Sequence, residues 1–107
     1  MSDAKAQWRE ENARVFKALA HPTRLLIIEE LSREEKCVCE LTDIVGNDIS
    51  TVSKHLSVMK NAGILEDEKR GNMVFYRLAM PCILSFFLCI RETVKKKVED
   101  QIELLQR

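Results

Sequence analysis

Four cysteines and two histidines are the side chains of this 107-residue chain whose chemistry reaches furthest beyond packing. Cys37 and Cys39 are separated by a single residue. In mid-helix, side chains at that spacing diverge, but at a helix entry the first stays extended and both thiols can converge. A helix N-terminus also favours the thiolate, the form that binds soft ions, and neighbouring Lys36 adds to that bias. Cys82 and Cys89 stand seven residues apart, on one face of a helix that carries both. They can complete a site with Cys37 and Cys39 within one chain or between two copies, or act separately as a thiol sensor. They can also serve as buried apolar residues beside Phe86, Phe87 and Ile90. Neither histidine has an evident pairing with a cysteine, and no oxyanion motif accompanies them, so an enzyme is the least supported class. His21, directly before Pro22, reads as a junction residue and not as a ligand.

A second chemically useful surface lies in residues 48–63. Val52, Leu56 and Met59 recur at i, i+4 and i+7, which predicts a helix with one apolar stripe. Its other face holds Ser50, Ser53, Lys54, Ser57 and Asn61. Short hydroxyls and a lysine, with almost no acid, can approach a phosphate backbone and reach base edges, although the same pattern also makes an ordinary solvated face. Asp48 is placed to cap this helix and Gly63 to end it.

The elements that must position these groups follow from periodicity and punctuation. Trp8, Val15, Phe16 and Leu19 predict a first helix over 3–20; a second, over 23–31, turns Leu26, Ile27 and Leu31 inward, with Leu25 and Ile28 extending the apolar surface. After a polar turn, Val38, Leu41 and Val45 fit a short third helix ended near Gly46-Asn47. With the stretch that follows it forms a helix-turn-helix over about residues 38–62. Two strands over about 64–78, joined at Gly71-Asn72, predict a β-hairpin wing with Lys69 and Arg70 at its tip. A last helix over about 80–106 carries Phe87, Ile90, Val94, Val98, Ile102 and Leu105 as a stripe that one small domain cannot cover. The expected architecture is a mainly α winged helix-turn-helix, one domain over 1–107, dimeric through its first and last helices.

Composition sets limits on that picture. A hydrophobic content of 46% and a charged content of 32% suit a folded soluble chain, while a net charge of zero leaves nucleic-acid binding to local clustering of cations. The N-terminal residues lack the apolar core of a secretory signal. The run 79–90 is interrupted by Pro81 and Ser85 and falls short of the roughly 20 residues that span a bilayer. A cytoplasmic, membrane-free protein with reduced thiols is expected.

The chain resembles the ArsR/SmtB family of winged-helix transcriptional repressors over nearly its full length. The resemblance rests on the spaced motifs Phe16-Lys17-Ala18-Leu19-Ala20-His21-Pro22-Thr23-Arg24-Leu25, Cys37-Val38-Cys39-Glu40-Leu41, Ser50-Thr51-Val52-Ser53-Lys54-His55-Leu56, Asn61-Ala62-Gly63-Ile64-Leu65 and Tyr76-Arg77-Leu78. It implies a homodimer on double-stranded operator DNA, released when an inducer binds, with no resident cofactor. In the family the region matching 50–57 enters the major groove. This makes Ser50, Thr51, Ser53, Lys54, His55 and Ser57 contact candidates, with Lys60, Lys69 and Arg70 serving phosphates. Cys37 and Cys39 match the Cys-Val-Cys-(Asp/Glu)-Leu motif of members that sense arsenic, antimony, cadmium or lead. As(III) and Sb(III), or alternatively Cd and Pb, are the inducers this implies, with Cys82 and Cys89 as further thiols. Where the arsenic sensors continue to a third cysteine this chain has Thr42, and it lacks the N-terminal cysteines of the cadmium sensors. The family's zinc-binding set is missing from the last helix. The alternatives are a winged-helix repressor sensing redox or sulfur species, and a winged-helix module that only binds protein.

Overall fold

The computed structural model describes residues 3–107, and four of its five helices begin at a residue whose side chain accepts a first-turn N–H, while two end at glycine. α1 (Ala4–Leu19) starts at Asp3, whose carboxylate accepts the Lys5 N–H at 3.0 Å. α2 (Pro22–Arg33) starts at His21, whose Nδ1 accepts the Thr23 N–H at 3.1 Å, with Pro22 in the first turn where its missing N–H costs nothing. α3 (Val38–Val45) closes on Gly46 at φ 82°, a left-handed conformation that an L side chain resists. α4 (Ile49–Asn61) ends in a Schellman arrangement, in which Gly63 at φ 84° donates to the Lys60 carbonyl at 2.9 Å and Ile64 to the Met59 carbonyl at 3.0 Å. The junctions are thus defined by local chemistry before any packing is counted.

The expected hairpin belongs to a larger sheet. β2 (Leu65–Arg70) and β3 (Met73–Leu78) pair antiparallel around Gly71-Asn72, and β1 (Lys36–Cys37) adds to the other edge of β3. Lys36 lies opposite Tyr76 and Cys37 opposite Phe75. The residue that enters α3 is therefore also a strand partner of the wing.

A single cluster joins these elements. Ile27, Ile28 and Leu31 of α2, Leu41 of α3 and Val52, Leu56 and Met59 of α4 meet Ile64, Leu65 and Tyr76 there. In α2 the inward set is Ile27, Ile28 and Leu31, one face of the helix, so that Leu26 is only half-buried and Leu25 is exposed. α5 (Cys82–Leu105) enters the cluster through Ile83 and Phe87, then runs on with Ile90, Val94, Val98, Ile102 and Leu105 exposed. Trp8 and Phe16 of α1 are exposed as well, and the Phe16 and Phe86 rings lie 5.8 Å apart, joining the apolar surfaces of α1 and α5. Between α1, α2 and α5 opens an apolar groove of about 650 Å³ lined by Phe16, Leu25, Phe87 and Val94 among others. Among the described residues no helix is long and apolar enough to cross a membrane.

Leu56 has no exposed surface, so Leu56→Ala leaves a cavity under α4. A loss of about 2 to 5 kcal/mol in urea unfolding is the expected result, with the slope unchanged.

Candidate nucleic-acid interface and thiol pair

Complete burial of Val52, Leu56 and Met59 leaves α4 one way to face. Ser50, Thr51, Lys54, Ser57 and Lys60 are exposed on it, and Ser53 is half-buried at the margin. At the helix start the Asp48 carboxylate accepts the Thr51 N–H at 2.7 Å and the Ser50 hydroxyl at 3.0 Å. These donors hold its pKa below the ordinary carboxylate range. Ile49, the first residue of α4, is exposed, an apolar group beside hydroxyls at the leading end of the helix. Sequence reasoning passed over it; its signal is an isoleucine directly after the cap and outside the Val52, Leu56, Met59 stripe.

His55 departs from the candidate set. It is 9% exposed, and its Nδ1 accepts the Arg24 Nε–H at 3.0 Å. The same guanidinium donates through Nη1 to the Ala18 carbonyl at 3.2 Å, and the His21 ring packs 4.6 Å from that of His55. His55 lies between the polar face and the apolar stripe, and the turn into the protein places it on the end of α1 and the start of α2. These contacts tie α4 to those helices.

The cations divide into two groups. Lys60 bonds Asp67 at 2.9 Å, and the Arg70 fork meets Glu35 at 2.6 and 3.1 Å and Glu68 at 2.8 Å. These partners raise the pKa values of Lys60 and Arg70. Arg70 also lies over the Phe75 ring, 4.6 Å from its centroid. Among the described residues neither Lys54 nor Lys69 has a carboxylate at ion-pair distance. Of the candidate contact cations, those without a carboxylate therefore sit on the α4 face and beside the hairpin turn.

The thiol pair is asymmetric. Cys37 is 1% exposed and extended (φ −78°, ψ 162°); its Sγ accepts the Glu40 N–H at 3.4 Å while the Glu40 carboxylate accepts the Cys37 N–H at 3.2 Å, a closed capping box. Cys39, two residues on, is exposed. The thiolate expected at this helix entry is not what the surroundings favour at Cys37. Burial pushes its pKa up, the neighbouring Cys39 adds to the rise, and the Glu40 N–H only partly opposes it. Cys82 and Cys89 are both exposed on α5, so packing inside the single chain does not account for them. Among the described residues no three metal-binding side chains gather, so neither joins Cys37 and Cys39 within the chain. α5 packs on α2.

Fold and surface together define a winged helix-turn-helix with an outward polar helix. The chain is similar to the solution structure of the homodimeric winged helix-turn-helix DNA-binding domain Mb0332 from Mycobacterium bovis. That match has 30% identity and a TM-score of 0.81 over 94% of this chain and 93% of that one. It is 33% identical over 95 residues to the HTH-type transcriptional regulator Rv0081 of Mycobacterium tuberculosis, covering 88% of this chain and 83% of the relative. The cadmium resistance transcriptional regulatory protein CadC homolog of Staphylococcus aureus is 45% identical over 67 residues, 62% of this chain and 55% of that one. The pattern described as bacterial regulatory protein, arsR family, matches residues 21–67. The chain belongs to the ArsR family, a class of transcriptional regulators and not of enzymes.

Burial, together with the charges of His21, Arg24 and Lys54, lowers the His55 pKa below its ordinary 6.5. As pH falls through 6.5 the unfolded chain takes up a proton that the folded chain refuses, so this contribution to stability is full above 6.5 and declines below it. Urea midpoints of the wild type should fall on acidification over this range, and His55→Gln should flatten the decline.

Proposed function

We propose that the chain is a cytoplasmic homodimeric repressor that binds operator DNA through α4 and the hairpin and is released when a thiophilic ion binds Cys37 and Cys39. The observation that carries the DNA reading is the exposed polar face of α4 beside the unpaired cations Lys54 and Lys69, in a fold whose relative Mb0332 is described as DNA-binding. α4 enters the major groove, where Ser50, Thr51, Ser53, Lys54 and Ser57 reach base edges and phosphates. Ile49 can meet a thymine methyl group there. Lys69 serves a phosphate directly, whereas Lys60 and Arg70 must first leave their carboxylates.

A second copy covers the exposed α5 stripe and the adjoining surface of α1, as the homodimeric state of Mb0332 supports. Two α4 helices related by a two-fold axis then face a symmetric operator.

The name of the CadC homolog and the Cys37/Cys39 pair support the ion as inducer. Thiolates suit arsenite, antimonite, cadmium and lead by softness. Two thiols of one chain leave a further ligand to be supplied by the partner copy, by solvent or by a small thiol. Cys37 is buried at the start of α3, so an ion reaches its sulfur only if that start opens. That movement acts on the helix-turn-helix through α3 and on the hairpin through β1. By linkage, DNA weakens ion binding by the same factor, typically ~1 to 3 kcal/mol.

The test is fluorescence anisotropy with duplex DNA from upstream of the chain's own coding region, under reducing conditions. One ion among arsenite, antimonite, cadmium and lead should release the wild type and leave the Cys37→Ser/Cys39→Ser variant bound. Binding that persists through all four ions discards the ion reading and directs attention to redox or sulfur chemistry at the exposed Cys82 and Cys89. In the same assay Lys54→Ala should weaken binding and make the log–log salt dependence shallower by about one. Absence of any salt-dependent binding by the wild type would remove the DNA reading in favour of a protein-binding module.

A further inference from the structure

The hairpin cation best shaped to grip a phosphate is already gripping a carboxylate. Arg70 closes β2, and Glu35 sits in the link between α2 and β1. Arg70 Nη1 donates to Glu35 Oε1 at 2.6 Å and Nη2 to Glu35 Oε2 at 3.1 Å, so the two groups meet fork to fork. Nη2 also donates to Glu68 at 2.8 Å, and the guanidinium plane rests over Phe75. Both terminal nitrogens are thereby occupied, and the ring limits the ways in which the group can swing. A phosphate presents to an arginine the same paired acceptors as a carboxylate. The two ligands compete for one edge of one side chain.

We infer that Glu35 is an intramolecular stand-in for DNA phosphate, a latch that holds Arg70 until a phosphodiester displaces it. The inference rests on the DNA-binding reading above and adds to it a self-inhibiting contact. An exposed ion pair is weak enough to be exchanged, so the latch lowers affinity without blocking it. Its position has a further effect. Glu35 stands two residues before Cys37, which pairs with Phe75, the residue beneath Arg70. The latch and the thiol pair therefore share one short segment of chain.

The experiment is a double-mutant cycle on the full chain, read by anisotropy with the same upstream duplex and with a scrambled duplex of equal length. Glu35→Gln should tighten binding about two- to five-fold, and Glu35→Ala should act in the same direction. Arg70→Ala should weaken binding, and more so in the Glu35→Gln background than in the wild type. Glu35→Gln should have no effect once Arg70 is alanine. A gain of equal size with Arg70→Ala would mean that only the loss of a negative charge near DNA was felt, and it overturns the latch. Unchanged affinity in Glu35→Gln and Glu35→Ala, with the wild type still binding, overturns the latch and leaves the DNA reading intact. No binding of the wild type to either duplex removes the DNA reading and the latch together.

Discussion

The burial of one stripe of α4 is the constraint from which the outward surface follows. Val52, Leu56 and Met59 have no exposed surface and belong to one core that draws on α2, α3, Ile64 and the start of β2. Removing apolar area from water on this scale outweighs any single surface contact, so the rotation of α4 about its axis is decided inside the protein. The polar side chains then face outward as a consequence. The Arg24 to His55 hydrogen bond and the Schellman turn at Gly63 refine the angle and end of a helix whose direction the core has already chosen.

Electrostatics works on a smaller scale and in the opposite sense. Seventeen basic and seventeen acidic residues cancel over the chain, and the hairpin carries Glu66, Asp67 and Glu68 in the strand that also holds Lys69 and Arg70. Lys60, Arg70 and Arg77 are drawn to these acids or to Glu35, which leaves Lys54 and Lys69, of the proposed contact cations, without such partners among the described residues. A chain of zero net charge can thus present a local positive surface, but a sparse one. For the proposed DNA contact this gives the fit of short hydroxyl side chains more weight than bulk attraction.

Periodicity made the helices, their order and the hairpin legible, because an amphipathic repeat states both the element and its inward face. The winged helix-turn-helix and the uncovered α5 stripe could be read from the sequence for that reason. β1 could not, since two residues carry no period and Lys36 and Cys37 become a strand only through the neighbouring β3. His55 stood at the boundary of two faces, where helical angle alone does not decide between solvent and Arg24. Arg70 was legible as a cation at a hairpin tip, but its partner Glu35 lies 35 residues away, and pairing at that distance is set by tertiary structure. At Cys37 the local argument from helix and lysine favoured ionisation, and burial contributed by the rest of the chain reversed the direction.

The capping box at Cys37 has a consequence for how the identity of that residue should be understood. The backbone asks position 37 for an atom that accepts the Glu40 N–H, and serine, threonine, aspartate and asparagine are the residues that helix starts ordinarily select for this duty. Sulfur accepts a hydrogen bond only weakly. The cap would thus be served at least as well by an oxygen, and it is the burial of position 37 that suits the apolar thiol. Serine there should keep the cap and remove the thiol. The helix start alone would not keep the cysteine in place; its buried surroundings would.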